Sequence, residues 1–139
     1  MTASENKPPT RVELIWEHDL VFAGKSDDVR MTLDSASAEG PSPMQAVAFG
    51  LAGCMAMDIV HVVKKARHEL RGLRADLLAT RSPEVPHRFT SVELHFTATG
   101  TIPQEVMERA IQLSRDKYCS VWHSLRTDIE LTTTFEVVP

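Results

Sequence analysis

From Ser42 to about Glu69 nothing in the sequence interrupts a helix except Gly50 and Gly53, and that run constrains the fold more than any other feature. Ser42-Pro43 reads as its start. A serine hydroxyl can cap the first amides, and proline at the first helical position gives up an N–H that has no partner inside the helix anyway. A helix of this length would span roughly 39 Å at about 1.5 Å per residue. Its first two-thirds is apolar on every side, which a surface helix is not. The purely apolar stretch, Ala46 to Met57, stops at Asp58 and His61, well short of the about 20 residues a membrane span requires. The expectation is therefore a buried helix. Gly50 and Gly53 would let another backbone approach closely, and a second copy of the chain about a twofold axis is the expected cover.

The surrounding segments read as strands and shorter helices. Arg11–Trp16, His18–Gly24 and Val29–Asp34 alternate apolar and polar residues or carry short apolar runs, which predicts a small antiparallel meander. Ser35–Ser42 has loop composition. After the long helix, Leu73–Thr80 and Phe89–Thr99 alternate with period two, separated by a two-proline turn at Arg81–Arg88, and Gly100 is expected to end the second. Ile102 to about Lys117 predicts a helix with Val106, Ala110 and Leu113 on one face. A short helical stretch is expected at Val121–Leu125 and a last strand at Asp128–Val138. The order βββ-α-ββ-αα-β segregates strands from helices, so the fold class is α+β with largely antiparallel sheets. Residues 1–10 read as a flexible N-terminal arm and residues 11–139 as a single domain.

With 15 Lys and Arg against 19 Asp and Glu, the net charge of −4 argues against a nucleic-acid surface. The basic cluster from Lys64 to Arg74 reads as a solvated helix end. The first ten residues carry no apolar core of the kind an export signal needs, so the expected location is the cytoplasm, where thiols are mostly reduced.

Two cysteines, Cys54 and Cys119, are too few for a disulfide scaffold. Each could be a small buried hydrophobe. If they meet, a thiolate could attack an oxidant and the second thiol could condense the sulfenic acid to a disulfide. A metal site can also be written from Cys54, His61, Cys119 and His123, although its spacing is not that of a zinc finger. Asp58, four residues after Cys54, lies on the same side of the helix. With His61, it is expected to make polar contacts across a dimer or to cap the helix tail. Met44, Met55, Met57 and Phe49 could line an apolar pocket or serve as core.

The run from Gly40 to Val60, GPSPMQAVAFGLAGCMAMDIV, resembles the signature segment of the OsmC/Ohr family, the osmotically inducible protein C and organic hydroperoxide resistance proteins. Asp116–Val121, DKYCSV, matches the family's second mark, a late cysteine after a helix. The resemblance implies an OsmC-like fold, with antiparallel sheets around long central helices buried at the middle of an intertwined homodimer. It implies thiol-dependent reduction of organic hydroperoxides or hydrogen peroxide in oxidative-stress defence, without a metal or organic cofactor. Cys54 would be the peroxidatic thiol and Cys119 the resolving thiol, recycled by an external dithiol. Two positions depart from the family pattern. Met44 and Gln45 stand where a glutamate is expected, and the hairpin Glu17–Phe22 offers no arginine. His18, Lys25, Arg30, Lys117 and Arg126 are the candidate replacements. The alternative reading is a non-catalytic dimer of the same fold that binds a small apolar or redox ligand.

Overall fold

The protein was analysed as a computed structural model, which describes residues 6–139. The first half of the expected N-terminal arm lies outside the described residues. Residues 6–10 are exposed and belong to no strand or helix. The chain divides into two compact units, one running to Ala46 and the other from Val47 to Pro139.

The first unit is the expected meander: β1 (Glu13–His18), β2 (Val21–Ser26) and β3 (Val29–Asp34), paired in order and antiparallel. Its closing loop is organised by Asp34, which is 4% exposed. One carboxylate oxygen accepts the Ala36 amide at 2.9 Å, and the other accepts those of Ala38 and Glu39 at 3.1 and 2.9 Å. These amides, Glu39 and Ala36 foremost, hold the Asp34 carboxyl below its ordinary pKa, because each hydrogen bond favours the ionised form. The loop leads into α1 (Pro43–Lys65). The helix start is a reciprocal cap: the Gln45 amide donates to Ser42 Oγ at 3.2 Å, and the Ser42 amide donates to Gln45 Oε1 at 2.9 Å.

In the second unit α1 buries Leu51, Met55, Ile59 and Val63, a single stripe recurring every four residues. The all-round burial expected of this helix is not reached within one chain: Phe49 and Met57 remain 69% and 73% exposed. By length and hydropathy alone the helix could cross a bilayer, a test that the core helix of a globular domain also meets. It ends at Lys65, earlier than expected, because His68 already leads into an extended strand.

That strand, β4 (Glu69–Arg81), pairs antiparallel with β5 (Phe89–Thr101). The period-two pattern in β5 is realised as predicted, with Val92, Leu94, Phe96 and Ala98 all at most 1% exposed. Gly100 does not end the strand. It sits at φ 147°, opposite a bulge in β4, where a Cβ would strike the Glu69 carbonyl. The sheet is completed by β6 (Glu130–Val138), which runs parallel to β5. The expectation of antiparallel sheets is thus corrected for this last pairing. A parallel neighbour needs a crossover of a dozen or more residues, and residues 102–129 supply it with α2 (Gln104–Leu113) and two turns.

Candidate functional site

The site lies within the second unit, where α1 meets the end of the crossover. The helix expected to run from Ile102 to Lys117 is regular only to Leu113. It then widens into a π-helical turn at Ser114–Tyr118, closed by the Cys119 amide donating to the Ser114 carbonyl at 2.8 Å. Such turns insert a residue and re-aim the side chains beyond them. Arg115 anchors the turn to β6, its guanidinium donating to the Leu131 carbonyl at 2.8 Å and to Thr133 Oγ1 at 3.4 Å. Cys119 follows in extended backbone and is fully buried. The next turn, 3₁₀ at Trp122–Ser124, returns the Trp122 amide onto the Cys119 sulfur at 3.3 Å.

The two cysteines come together. Cys54 Sγ, Cys119 Sγ and a carboxylate oxygen of Asp58 all lie within 4.8 Å of one another, and both cysteines are free thiols. A disulfide requires the sulfurs to close to about 2.05 Å. Asp58 is where the Cys54 spacing puts it, one helical turn on. Its partner was not foreseen: Ser114, buried on the π-turn, donates its hydroxyl to Asp58 Oδ2 at 2.8 Å. The i, i+4 spacing could have flagged Asp58 as a site residue. Nothing local in the sequence flags Ser114, which arrives through the fold.

The electrostatics are those of a partly buried, acidic corner. Burial, above all, pushes the Cys119 thiol up to about 11; the Trp122 amide opposes the shift, and the Cys54 thiol and Asp58 carboxylate add to it. Asp58 also lines a cleft of about 600 Å³ with His61, Lys65, Arg109 and Tyr118 among its walls. That cleft gives the carboxylate access to solvent.

Among the described residues the donor group close enough to hold a metal is Cys54, Asp58 and Cys119, in place of the four residues written from sequence. His61 and His123 are not part of this group. The His123 ring places Nε2 3.0 Å from the Arg115 carbonyl, to which it donates when protonated there. The candidate cations have neighbours of their own. His18 is bracketed by Asp19 at 2.9 Å and Glu39 at 3.1 Å, which raise its pKa, Asp19 most. Arg126 is paired with Asp128 at 2.7 Å, and the Lys117 ammonium sits 5.5 Å from the Tyr118 ring centre. Lys25 and Arg30 face one another across β2 and β3. Of Met44 and Gln45, the pair where the glutamate was expected, Gln45 is absorbed by the helix cap and by the Ser37 hydroxyl at 2.8 Å.

A long helix carrying one thiol, a π-turn carrying another, and an α+β frame define a small protein with a helix-borne dithiol site. Residues 35–134 match the family of OsmC-like proteins. The chain is 35% identical over 126 residues to protein YhfA of Escherichia coli K12, covering 88% of this chain and 94% of that one. A hypothetical protein from Aquifex aeolicus VF5 superposes with a TM-score of 0.87 at 26% identity, covering 94% of this chain and 97% of that one. An organic hydroperoxide resistance protein OsmC from Legionella pneumophila shares the fold, with a TM-score of 0.71 at 16% identity and coverage of 96% and 100%. The chain belongs to the OsmC-like family, and this placement together with the adjacent thiols supports a redox or peroxide-related role.

Proposed function

We propose that the protein is a homodimeric, cytoplasmic thiol peroxidase. The observation that carries this reading is the approach of Cys54 and Cys119 to within 4.8 Å, in a member of a family with hydroperoxide resistance proteins among its structural neighbours. In the first step the Cys54 thiolate attacks the peroxide. An S–O bond forms, the O–O bond breaks, and the alcohol leaves with a proton, giving Cys54 sulfenic acid. Cys119 then condenses with it, forming the disulfide and releasing water. An external dithiol reduces that disulfide by two exchange steps and is itself oxidised. The net reaction is peroxide plus dithiol to alcohol, water and disulfide, and no metal or organic cofactor enters it.

The exposed face of α1 supports the dimer. Its exposed apolar residues, Phe49 and Met57, call for cover, and among the described residues nothing beyond the helix's own neighbouring backbone lies within 4 Å of a Cβ built at Gly53. A second copy supplies that cover in preference to lipid, because Asp58, His61 and the closing Lys64-Lys65 pair would be expensive in a bilayer.

Cumene hydroperoxide consumption with a dithiol donor tests the reading. Cys54→Ser abolishes it. Cys119→Ser consumes one equivalent per chain without a reductant and then over-oxidises to sulfinic acid, read by intact mass. Equal consumption by wild type and Cys54→Ser refutes the reading. It would favour the non-catalytic dimer instead, which the neutral Gln45 and the carboxylate beside the thiols also suit.

A further inference from the structure

We infer that Asp58 is the proton carrier of the resolving step, taking the proton from the Cys119 thiol as that sulfur attacks Cys54. This inference rests on the peroxidase reading for its biological setting.

The geometry supplies each part. A carboxylate oxygen of Asp58 lies within 4.8 Å of both sulfurs, so a small closing movement or one bridging water brings a single group into reach of donor and acceptor. The Ser114 hydroxyl engages Oδ2 at 2.8 Å, which fixes the carboxylate and leaves Oδ1 unengaged by it. Asp58 also lines the cleft, which gives the proton a route to solvent.

The chemistry needs such a group. Cys119 is fully buried, and its thiol is pushed up to about 11. At neutral pH only about one such thiol in 10⁴ is a thiolate. Resolution through the spontaneous thiolate alone would be slowed by that factor. The same carboxylate contributes to the raised Cys119 value by disfavouring a neighbouring negative charge. Asp58 therefore adds to the burial that keeps the resolving sulfur protonated at rest, and accepts its proton only when the sulfur acquires a bonding partner. The step balances: the Cys119 sulfur bonds to the Cys54 sulfur, the S–O bond breaks, and the departing oxygen takes the proton held by Asp58 and leaves as water. No outside oxidant or reductant enters it.

The test separates this step from peroxide chemistry. Wild type and Asp58→Asn are reacted with 2,2′-dithiodipyridine, a small neutral disulfide that releases one pyridine-2-thione when it caps Cys54 and a second when Cys119 closes the ring. The amide still accepts the Ser114 hydrogen bond but cannot take a proton. We expect the second release, relative to the first, to slow by about 10²–10⁴ in the variant, the usual range for a lost general base. It should also gain a slope of about tenfold per pH unit between pH 7 and 10, because only the thiolate route remains. A merely structural role would change neither the ratio nor the slope. Ser114→Ala, which keeps the carboxylate but releases it, slows the second release less and decides the matter if Asp58→Asn does not fold. A second release within threefold of wild type, with an unchanged pH slope, overturns the inference. Failure of wild type to consume peroxide while ring closure still depends on Asp58 would overturn the peroxidase reading alone.

Discussion

Replacing Phe49 by serine tests whether α1 is the centre of a dimer. Within one chain Phe49 is 69% exposed on a helix whose buried stripe lies on other residues, so the substitution removes little from the chain's own core. Complete burial of such a side chain is worth about 1.5–3 kcal/mol, so covering the 69% still open would contribute about 1–2 kcal/mol per protomer. A twofold interface uses each residue twice. The dimer should therefore lose about 2–4 kcal/mol, raising its dissociation constant about 30- to 700-fold at about 1.4 kcal/mol per decade. Sedimentation velocity across a concentration series measures this directly. Thermal melting at high dilution, where both proteins are monomeric, checks that the isolated chain is intact. A dissociation constant within threefold of wild type would refute the assignment of α1 to the interface, as would a variant that stays dimeric but loses monomer stability.

Two further outcomes follow from local geometry. Gly100→Ala should destabilise the protein by at least about 2 kcal/mol, the scale of a strained backbone residue, because φ 147° disfavours a side chain and the Glu69 carbonyl occupies the space. A urea midpoint unchanged from wild type would show that the β4 bulge relaxes freely. Asp34→Asn should be less stable than wild type at pH 7, with the gap closing below about pH 4. The folded Asp34 pKa is depressed, so its stabilisation is complete above the unfolded value of about 3.9 and is lost as pH falls through the folded one. A gap that stays constant from pH 7 to pH 3 would argue against the amide cradle.

The parts of this fold that were legible in the sequence are those in which side-chain period and backbone geometry coincide. The Phe96 strand reads off its alternation, and α1 reads off its Ser-Pro start and unbroken run. The parts that were not legible depend on residues distant in sequence. The direction of β6 is set by a crossover whose path the composition of residues 102–129 does not encode, and the π-turn at Ser114–Tyr118 has no period of its own. The site divides the same way. Cys54 and Cys119 stood out as the two thiols, whereas the Ser114–Asp58 hydrogen bond joins residues 56 positions apart.

The departures from the family pattern take a different meaning once that bond is in view. The sequence leaves a gap, a helix-borne Cys54 without the glutamate or arginine that the family resemblance leads one to expect, and invites a search for a replacement cation. The second unit instead places a carboxylate among the thiols. A carboxylate cannot do a cation's work, since it disfavours a neighbouring thiolate and adds to the elevation at Cys119. It can govern when a proton leaves. If a cation also acts on Cys54, the second copy of the proposed dimer is one source, because a dimer centred on α1 would bring residues of that copy toward this helix. Titrating Cys54 alkylation by iodoacetamide above and below the dimer dissociation constant distinguishes the cases. A rate that falls on dilution assigns activation to the partner, and a rate independent of dilution confines the chemistry of Cys54 to its own chain.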